Sequence, residues 1–429
     1  MRILIVHNKY KEKGGEDNSF AIECQMLRDH GHDVKQLVYE NNNINSVISL
    51  FKLSYKLFYN NTTVRNLKTV IKEFSPDIIH VHNFFYLVSP SVFFVAKRKK
   101  IPIVFTVRNY RLICSGAYLL RDEKVCELCV TKKIPIHGVI YKCHRNSYLQ
   151  SFHLSLMILV HRLLGTWNTL ISKYIVLTEF AKNKLINSNL KLKEHQIAVK
   201  PNFVVDTGYT SMAEREDYFL FIGRLSKEKG IDILLKSFID TKYQLKIIGT
   251  GPLADDVINA AKNHPNIHYE GFRPNDQIIN YLKKCKALVF PSIWYEGMPR
   301  TILEAYSTGT PVISTDIDNI NELVIENYNG IHFKNNSAVS LAGALRNFMQ
   351  KENQETLYDN ARKTYEEKYS YDSNYLMLID IYKKLISQNV KVIKTQKRKY
   401  IPNIVQDYLN KFSYVSYFIK NQAKAPRKN

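Results

Sequence analysis

The sequence predicts an α/β protein built from two doubly wound parallel sheets, and three observations carry that expectation. Short apolar runs such as Ile3-Leu4-Ile5-Val6 and Ala287-Leu288-Val289-Phe290 are continuous rather than alternating, as strands covered on both faces must be. Such runs lead through a turn or loop to stretches with helical spacing, the order of βαβ units. The same order resumes after Lys200-Pro201-Asn202-Phe203-Val204, so the 429 residues divide into two units, each large enough for its own core.

In the first domain, residues 1–200, a strand is predicted over 2–6. The glycine loop Lys13-Gly14-Gly15-Glu16 follows, then an amphipathic helix over 19–30; two glycines let backbone approach a ligand closely. Residues 33–39 read as the second strand. Residues 50–59 interleave Lys52 and Lys56 with aromatics at helical spacing, which suits a membrane or acceptor-docking face, or an ordinary half-solvated helix. Residues 76–83 read as a central strand delivering His80 and His82 to its C-terminal end, where doubly wound sheets place ligands; a histidine satisfied in the core is the other reading. The strand over 101–107 ends in Arg108-Asn109-Tyr110-Arg111. A long apolar helix over 148–167 and a late strand over 173–178 complete this domain. In the second domain, residues 201–368, strands are expected at 219–222, 245–249, 267–269, 287–290 and 311–314. A helix over 371–386 follows, and residues 389–429 form a basic tail.

Two stretches of the second domain carry the chemistry. Trp294-Tyr295-Glu296-Gly297-Met298-Pro299-Arg300-Thr301-Ile302-Leu303-Glu304 reads as a tight turn opening a helix after a buried strand. Such a turn directs unpaired N–H groups and a positive dipole end at whatever lies above the sheet. Glu296 and Glu304 flank it with seven residues between them. Upstream, Gly223-Arg224-Leu225-Ser226-Lys227-Glu228-Lys229-Gly230 is again strand, glycine and basic loop. Arg224 offers a fork and Lys229 a point charge, both suited to a diphosphate. The other reading of the acids is a surface turn whose charges favour the following helix.

Together these stretches resemble the retaining GT-B glycosyltransferases of family four, which carry a glutamate-x7-glutamate motif and an Arg…Lys pair; the resemblance runs from about Met1 to Leu385. It implies two Rossmann-like domains facing across a cleft, with the last helix crossing back to the first domain. It further implies that Arg224 and Lys229 neutralise the diphosphate of a nucleotide-sugar donor, that Glu304 holds the ribose, and that Glu296 holds the donor sugar near the reacting carbon. Gly297, Met298, Pro299, Arg300 and Thr301 would complete the cradle, Gly14 and Gly15 would close over the diphosphate, and Arg273 would stand near the base. No catalytic metal is implied, since Arg and Lys replace it. Two departures stand out. Many relatives read Glu-Gly-Phe-Gly where this chain has Glu296-Gly297-Met298-Pro299, losing a flexible glycine and a donor. Relatives often carry a catalytic histidine where Arg108 stands, and an arginine cannot act as a base. Arg108 and His82 remain candidates for contact with acceptor or phosphate. A catalytically silent glycan-binding or scaffold protein of the same fold is the alternative.

The formal net charge of +22 calls for an acidic partner. Nucleic acid would explain the charge but not the glutamate pair. The tail from Lys391 onward holds ten Lys/Arg against one acid, Asp407, with aromatics interspersed. This suits anionic lipid or a solvated end, and an acceptor that is a lipid-linked saccharide. The short apolar start is no secretory leader and no apolar run is long enough to span a bilayer, which predicts a cytoplasmic protein, at most resting on the membrane. Cys114, Cys126, Cys129 and Cys143 fall within thirty residues of a Lys-rich loop and could form a structural tetrahedral zinc site, or remain four reduced thiols. Cys24 and Cys285 read as packing residues.

Overall fold

The computed structural model describes residues 1–9, 15–40 and 55–396, with side chains to Asn389. Gly14, the first half of the 50–59 stretch and the tail beyond Gln396 lie outside the described residues. The first sheet contains β1 (Arg2–Lys9), β2 (Asp33–Glu40), β3 (Ile78–Val81), β4 (Ile103–Val107), β7 (Lys173–Val176) and β8 (Ile197–Val199), in the order β2-β1-β3-β4-β7-β8. A two-stranded hairpin, β5 (Leu120–Arg121) and β6 (Lys124–Val125), lies in the loop after β4. The second sheet contains β9 (Tyr218–Ile222), β10 (Gln244–Ile248), β11 (Ile267–Gly271), β12 (Ala287–Phe290), β13 (Val312–Asp316) and β14 (Gly330–Lys334), in the order β11-β10-β9-β12-β13-β14. Every pairing within these two sheets is parallel. The apolar runs are continuous for that reason: β3, β4, β9 and β12 are buried along their whole length, because helices cover both faces. The chain thus has the expected α/β architecture of two doubly wound domains.

Each sheet reverses its strand order once, between β1 and β3 in the first domain and between β9 and β12 in the second. The crevice beyond the strand ends at such a point is where doubly wound sheets hold ligands. The helix Tyr371–Gln396 leaves the second domain and packs Leu378, Ile381, Tyr382 and Leu385 against Ile3, Ile5 and Phe20 of the first. Burying an apolar side chain of this size is worth about 1.5–3 kcal/mol, so this strap contributes substantially to holding the domains together.

Four elements differ from the sequence reading for identifiable reasons. The apolar helix ends at Leu163 rather than Trp167, because Gly165 adopts a left-handed φ of +67°. The last helix continues ten residues past Ile386, through Lys391 and Lys394, so the basic tail begins on a helix. Strands β8 and β14 were not expected; both are edge strands and only partly buried, β8 has three residues and β14 is interrupted by His332, so neither shows the continuous apolar run of a central strand.

Candidate active site between the domains

Both motif loops stand at the switch point of the second sheet. β9 runs into Gly223-Arg224-Leu225-Ser226, a short 3-10 turn over Lys227–Lys229, and Gly230, which starts the helix Ile231–Ile239. β12 runs into residues 291–299 and then the helix Arg300–Ser307. The loops interlock. Ile293 donates its N–H to the Glu228 carbonyl at 3.0 Å, and Gly230, at φ +73°, lies where a Cβ would come within 2.0 Å of the Pro291 carbonyl oxygen. Only glycine fits that contact.

Glu296 is buried, and its Oε1 accepts from Ser292 Oγ at 2.6 Å, from Trp294 Nε1 at 3.0 Å, and from Lys229 Nζ in a short ion pair. Asn319 Nδ2 fixes the Glu296 carbonyl at 2.5 Å. Three donors on one oxygen orient the carboxylate and leave Oε2 for a ligand hydroxyl. Arg224 stands exposed on the adjoining loop, with no polar partner among the described residues. Pro299 caps the following helix and has no N–H to lose, so the unpaired first-turn amides begin at Arg300 and Thr301. Glu304 is also buried. Burial pushes its carboxyl above the ordinary pKa, against the pull of Arg300, whose Nη2 is 3.5 Å away.

The first domain closes the other side. Gly15 opens the helix Gly15–Asp29 and faces Arg300, whose Cδ would lie 3.9 Å from a Cβ built there. A Cβ on Gly297 would lie 2.7 Å from the Arg108 carbonyl oxygen, so the two domains touch backbone to backbone beneath the turn. Arg108 Nη1 donates to Asn202 Oδ1 at 2.5 Å, and Asn202 Nδ2 donates to the Met298 carbonyl at 3.2 Å. Met298 therefore anchors the turn to the hinge with its buried side chain and its carbonyl, leaving its N–H for a ligand.

His82 lies in a buried cluster. Its Nε2 is 3.0 Å from Glu23 Oε1, and Glu23 Oε2 accepts from Lys200 Nζ at 3.0 Å. Lys200 also donates to Asn374 Oδ1 at 2.6 Å, while Asn374 Nδ2 donates to the Pro201 carbonyl at 2.6 Å. Burial by itself would push the Glu23 carboxyl up, but Lys200 and then His82 hold it well below the carboxylate range. His80 is satisfied in the core by Tyr382 at 2.6 Å and Thr106 at 2.7 Å. His82, by contrast, lines a cavity of about 20 Å³ together with Arg108 and Arg111. The Nε of Arg108 and the Nε and Nη1 of Arg111 are buried without a hydrogen-bond partner, and the Arg111 guanidinium lies over the Phe85 ring at 3.9 Å. Arg273 sits apart, at the end of edge strand β11, paired with Glu270 at 3.1 Å. The four cysteines of the loop after β4 line one separate cavity.

The structure thus gathers Gly15, Arg108, Arg224, Lys229, Glu296, Gly297, Arg300 and Glu304 around one cleft. The sequence reading missed Ser292 and Asn319, which orient Glu296, and Arg111 beside Arg108. It also missed Glu23, although an acid between Phe20, Cys24 and Leu27 on the apolar face of its helix was a usable signal.

Comparison with known proteins bears on the family and the fold. The family model for Glycosyltransferase Family 4 matches residues 23–207, and that for Glycosyl transferases group 1 matches residues 210–364. The chain belongs to the group 1 glycosyltransferases. Among relatives of this family, an uncharacterized glycosyltransferase of Methanocaldococcus jannaschii is 28% identical over 218 residues, 50% of this chain and 60% of that protein's length. A 42.6 kDa protein in the cps region of Klebsiella pneumoniae is 25% identical over 358 residues, covering 75% of this chain and 87% of that one. The O-antigen chain mannosyltransferase C of Escherichia coli is 25% identical over 176 residues, covering 40% of this chain and 47% of that one. The crystal structure of Anabaena HepE in complex with UDP superimposes with a TM-score of 0.62 at 14% identity, over 90% of this chain and 100% of that one. The fold of this glycosyltransferase is therefore GT-B.

Proposed function

We propose that the protein transfers a sugar from a nucleotide-diphosphate-sugar to a glycan acceptor in surface polysaccharide synthesis, with retention at the anomeric carbon. The observation that carries this is the cluster at the β9/β12 switch point. Arg224, without a polar partner among the described residues, Lys229 in its ion pair with Glu296, and helix amides at Arg300 and Thr301 suit a cradle for a diphosphate. The buried carboxylates of Glu296 and Glu304 suit sugar and ribose hydroxyls. The UDP bound by HepE and the O-antigen relative support the donor class and the pathway class.

In this mechanism an arriving diphosphate draws Lys229 away from Glu296. Arg224 and Lys229 then stabilise the charge that builds on the departing phosphate oxygen as the C1–O bond breaks. Glu296 Oε2 holds a sugar hydroxyl close to C1. The acceptor oxygen bonds to C1 on the face the phosphate leaves, and its proton passes to that phosphate oxygen. No protein base is needed, which reconciles Arg108 with activity, and the two cations supply the charge stabilisation without a catalytic metal. Arg108 and Arg111 beside His82 put positive charge on the first-domain side, suited to attracting an acceptor phosphate to that wall, as in a lipid-linked saccharide.

Thermal stabilisation across UDP-, GDP- and ADP-sugars identifies the donor, and anomeric NMR of the product reads retention. Stabilisation by a donor without turnover on any lipid-linked acceptor would favour the silent binding protein instead. No helix among the described residues is long and apolar enough to cross a membrane. Residence at the cytoplasmic face would instead come from the basic tail. Full-length protein should co-sediment with anionic vesicles, less at high salt, and a chain lacking residues from Lys391 onward should bind them less.

A further inference from the structure

We propose that Cys114, Cys126, Cys129 and Cys143 bind one zinc ion as four thiolates, and that this ion holds the loop after β4 against the sugar-binding turn of the second domain. All four side chains line a single cavity of about 20 Å³, shared with His137 and Gly138. That volume admits one ion or one water and excludes an organic ligand. None of the four is in a disulfide. No three of the sulfurs lie within 4.8 Å of one another, so an ion with bonds near 2.3 Å would draw them inward by about an ångström or more.

Four sulfurs from three separate parts of the loop converge on this one small cavity, an arrangement that a single cation would hold together. His137 lines the same cavity, and its Nδ1 is buried without a partner, a nitrogen available to a coordinated sulfur. The hairpin of β5 and β6 delivers Cys126-Glu127-Leu128-Cys129, the C-x2-C step of tetrahedral zinc sites.

The loop is tied to the first-domain core at Leu112, Ile113, Leu119 and Val130, but its outer part is not: Tyr118, Val125, Leu128, Ile134, Ile136 and Tyr141 are exposed. Ala117, Leu119, Asp122, Glu123 and Lys142 all adopt positive φ without being glycine. Yet the loop makes definite contacts across the cleft. Tyr118 packs edge-on to Trp294 at 4.9 Å, the ring that donates to Glu296, and Glu123 pairs with Lys227 at 3.1 Å. A metal supplies the missing order. The other cluster of metal-type ligands, Glu23 with His80 and His82, already has Lys200 as its cation.

The test uses the full chain purified without chelator. Elemental analysis should find about one zinc per chain. Cobalt exchanged for it should show the intense charge-transfer and d–d bands of tetrahedral thiolate coordination. Cys126→Ser and Cys129→Ser should lose the metal, while Cys285→Ser keeps it. If the serine variants fail to fold, zinc released from wild-type protein by a mercurial reagent, one ion per four thiols blocked, gives the same answer. Zinc no higher than in the serine variants, iron in its place, or disulfides among the four by mass spectrometry would each overturn the proposal. None of these readouts depends on transferase activity.

Discussion

Glu304 is held almost out of water with Arg300 as a distant partner, and burial raises its pKa. The folded state therefore binds this proton more tightly than the unfolded chain. By linkage, the stability it contributes is present at low pH and is lost as pH rises through the raised value. At neutral pH the ionised carboxylate is a cost, which the proposed contact with ribose hydroxyls would account for. Glu304→Gln should raise the melting temperature of the ligand-free protein at pH 7.5 while weakening nucleotide binding about 10–100-fold, the worth of a hydrogen bond to a charged group. Calorimetry with UDP and other nucleotides reads both, and a variant that loses stability would contradict the assignment. Glu296→Gln should lower kcat with little change in donor affinity, since contacts near the reacting carbon strengthen in the transition state. A rise in KM alone would contradict that role. Both glutamates were legible from their spacing. The Lys229–Glu296 pair was not, because it joins residues from two separate strand ends that only the sheet order brings together.

At the scale of elements, the sequence revealed what depends on local signals: continuous apolar runs for buried strands, and glycines at strand ends for ligand loops. It concealed what depends on neighbours. Gly230 reads as an ordinary helix start, yet its role is set by the Pro291 carbonyl, which no local pattern names. Gly230→Ala combines a left-handed backbone with a backbone clash, and should destabilise the second domain by about 2 kcal/mol or more. Gly343 lies in the helix Ala338–Gln350 with nothing within 4 Å of a notional Cβ. Gly343→Ala should stabilise by about 0.5–1 kcal/mol through helix propensity. Denaturant midpoints of the two variants should therefore move in opposite directions, and a shared direction would refute the reading of Gly230.

At the scale of the whole molecule, the buried charges of the first domain bind three segments distant in sequence: Glu23 on the first helix, Lys200 at the hinge and Asn374 on the returning helix. This arrangement was invisible in sequence because each residue is ordinary by itself. Five histidines of this domain favour the neutral form. Burial lowers His7 to about 4, His161 to about 4 and His144 to about 3, and lowers His80 and His82 as well. Their unfolded values lie near 6.5. A histidine with a lowered folded pKa favours the unfolded chain once pH falls below about 6.5, since only the unfolded form takes the proton. Each one then contributes a slope of about 1.4 kcal/mol per pH unit until its folded value is reached. Asp17 and Glu23, which face His7 and His82, oppose the shift without cancelling it. Glu23 adds its own loss only further down, as pH falls through a value well below 4.5. Glu304 and Glu322, both raised, act in the opposite direction near the carboxylate range and blunt the fall there. Stability should accordingly be level from pH 8 to 7 and decline steadily between 6.5 and 5, where carboxylates still contribute little. His161 lies away from the cleft, bonded to Thr166 at 2.9 Å and the Phe58 carbonyl at 3.1 Å, and glutamine can serve both partners. His161→Gln should reduce the slope over pH 6.5–5 by about 1.4 kcal/mol per unit for the domain that carries it. An unchanged slope in that variant would place the acid sensitivity elsewhere, in the carboxylate pairs rather than in the buried imidazoles.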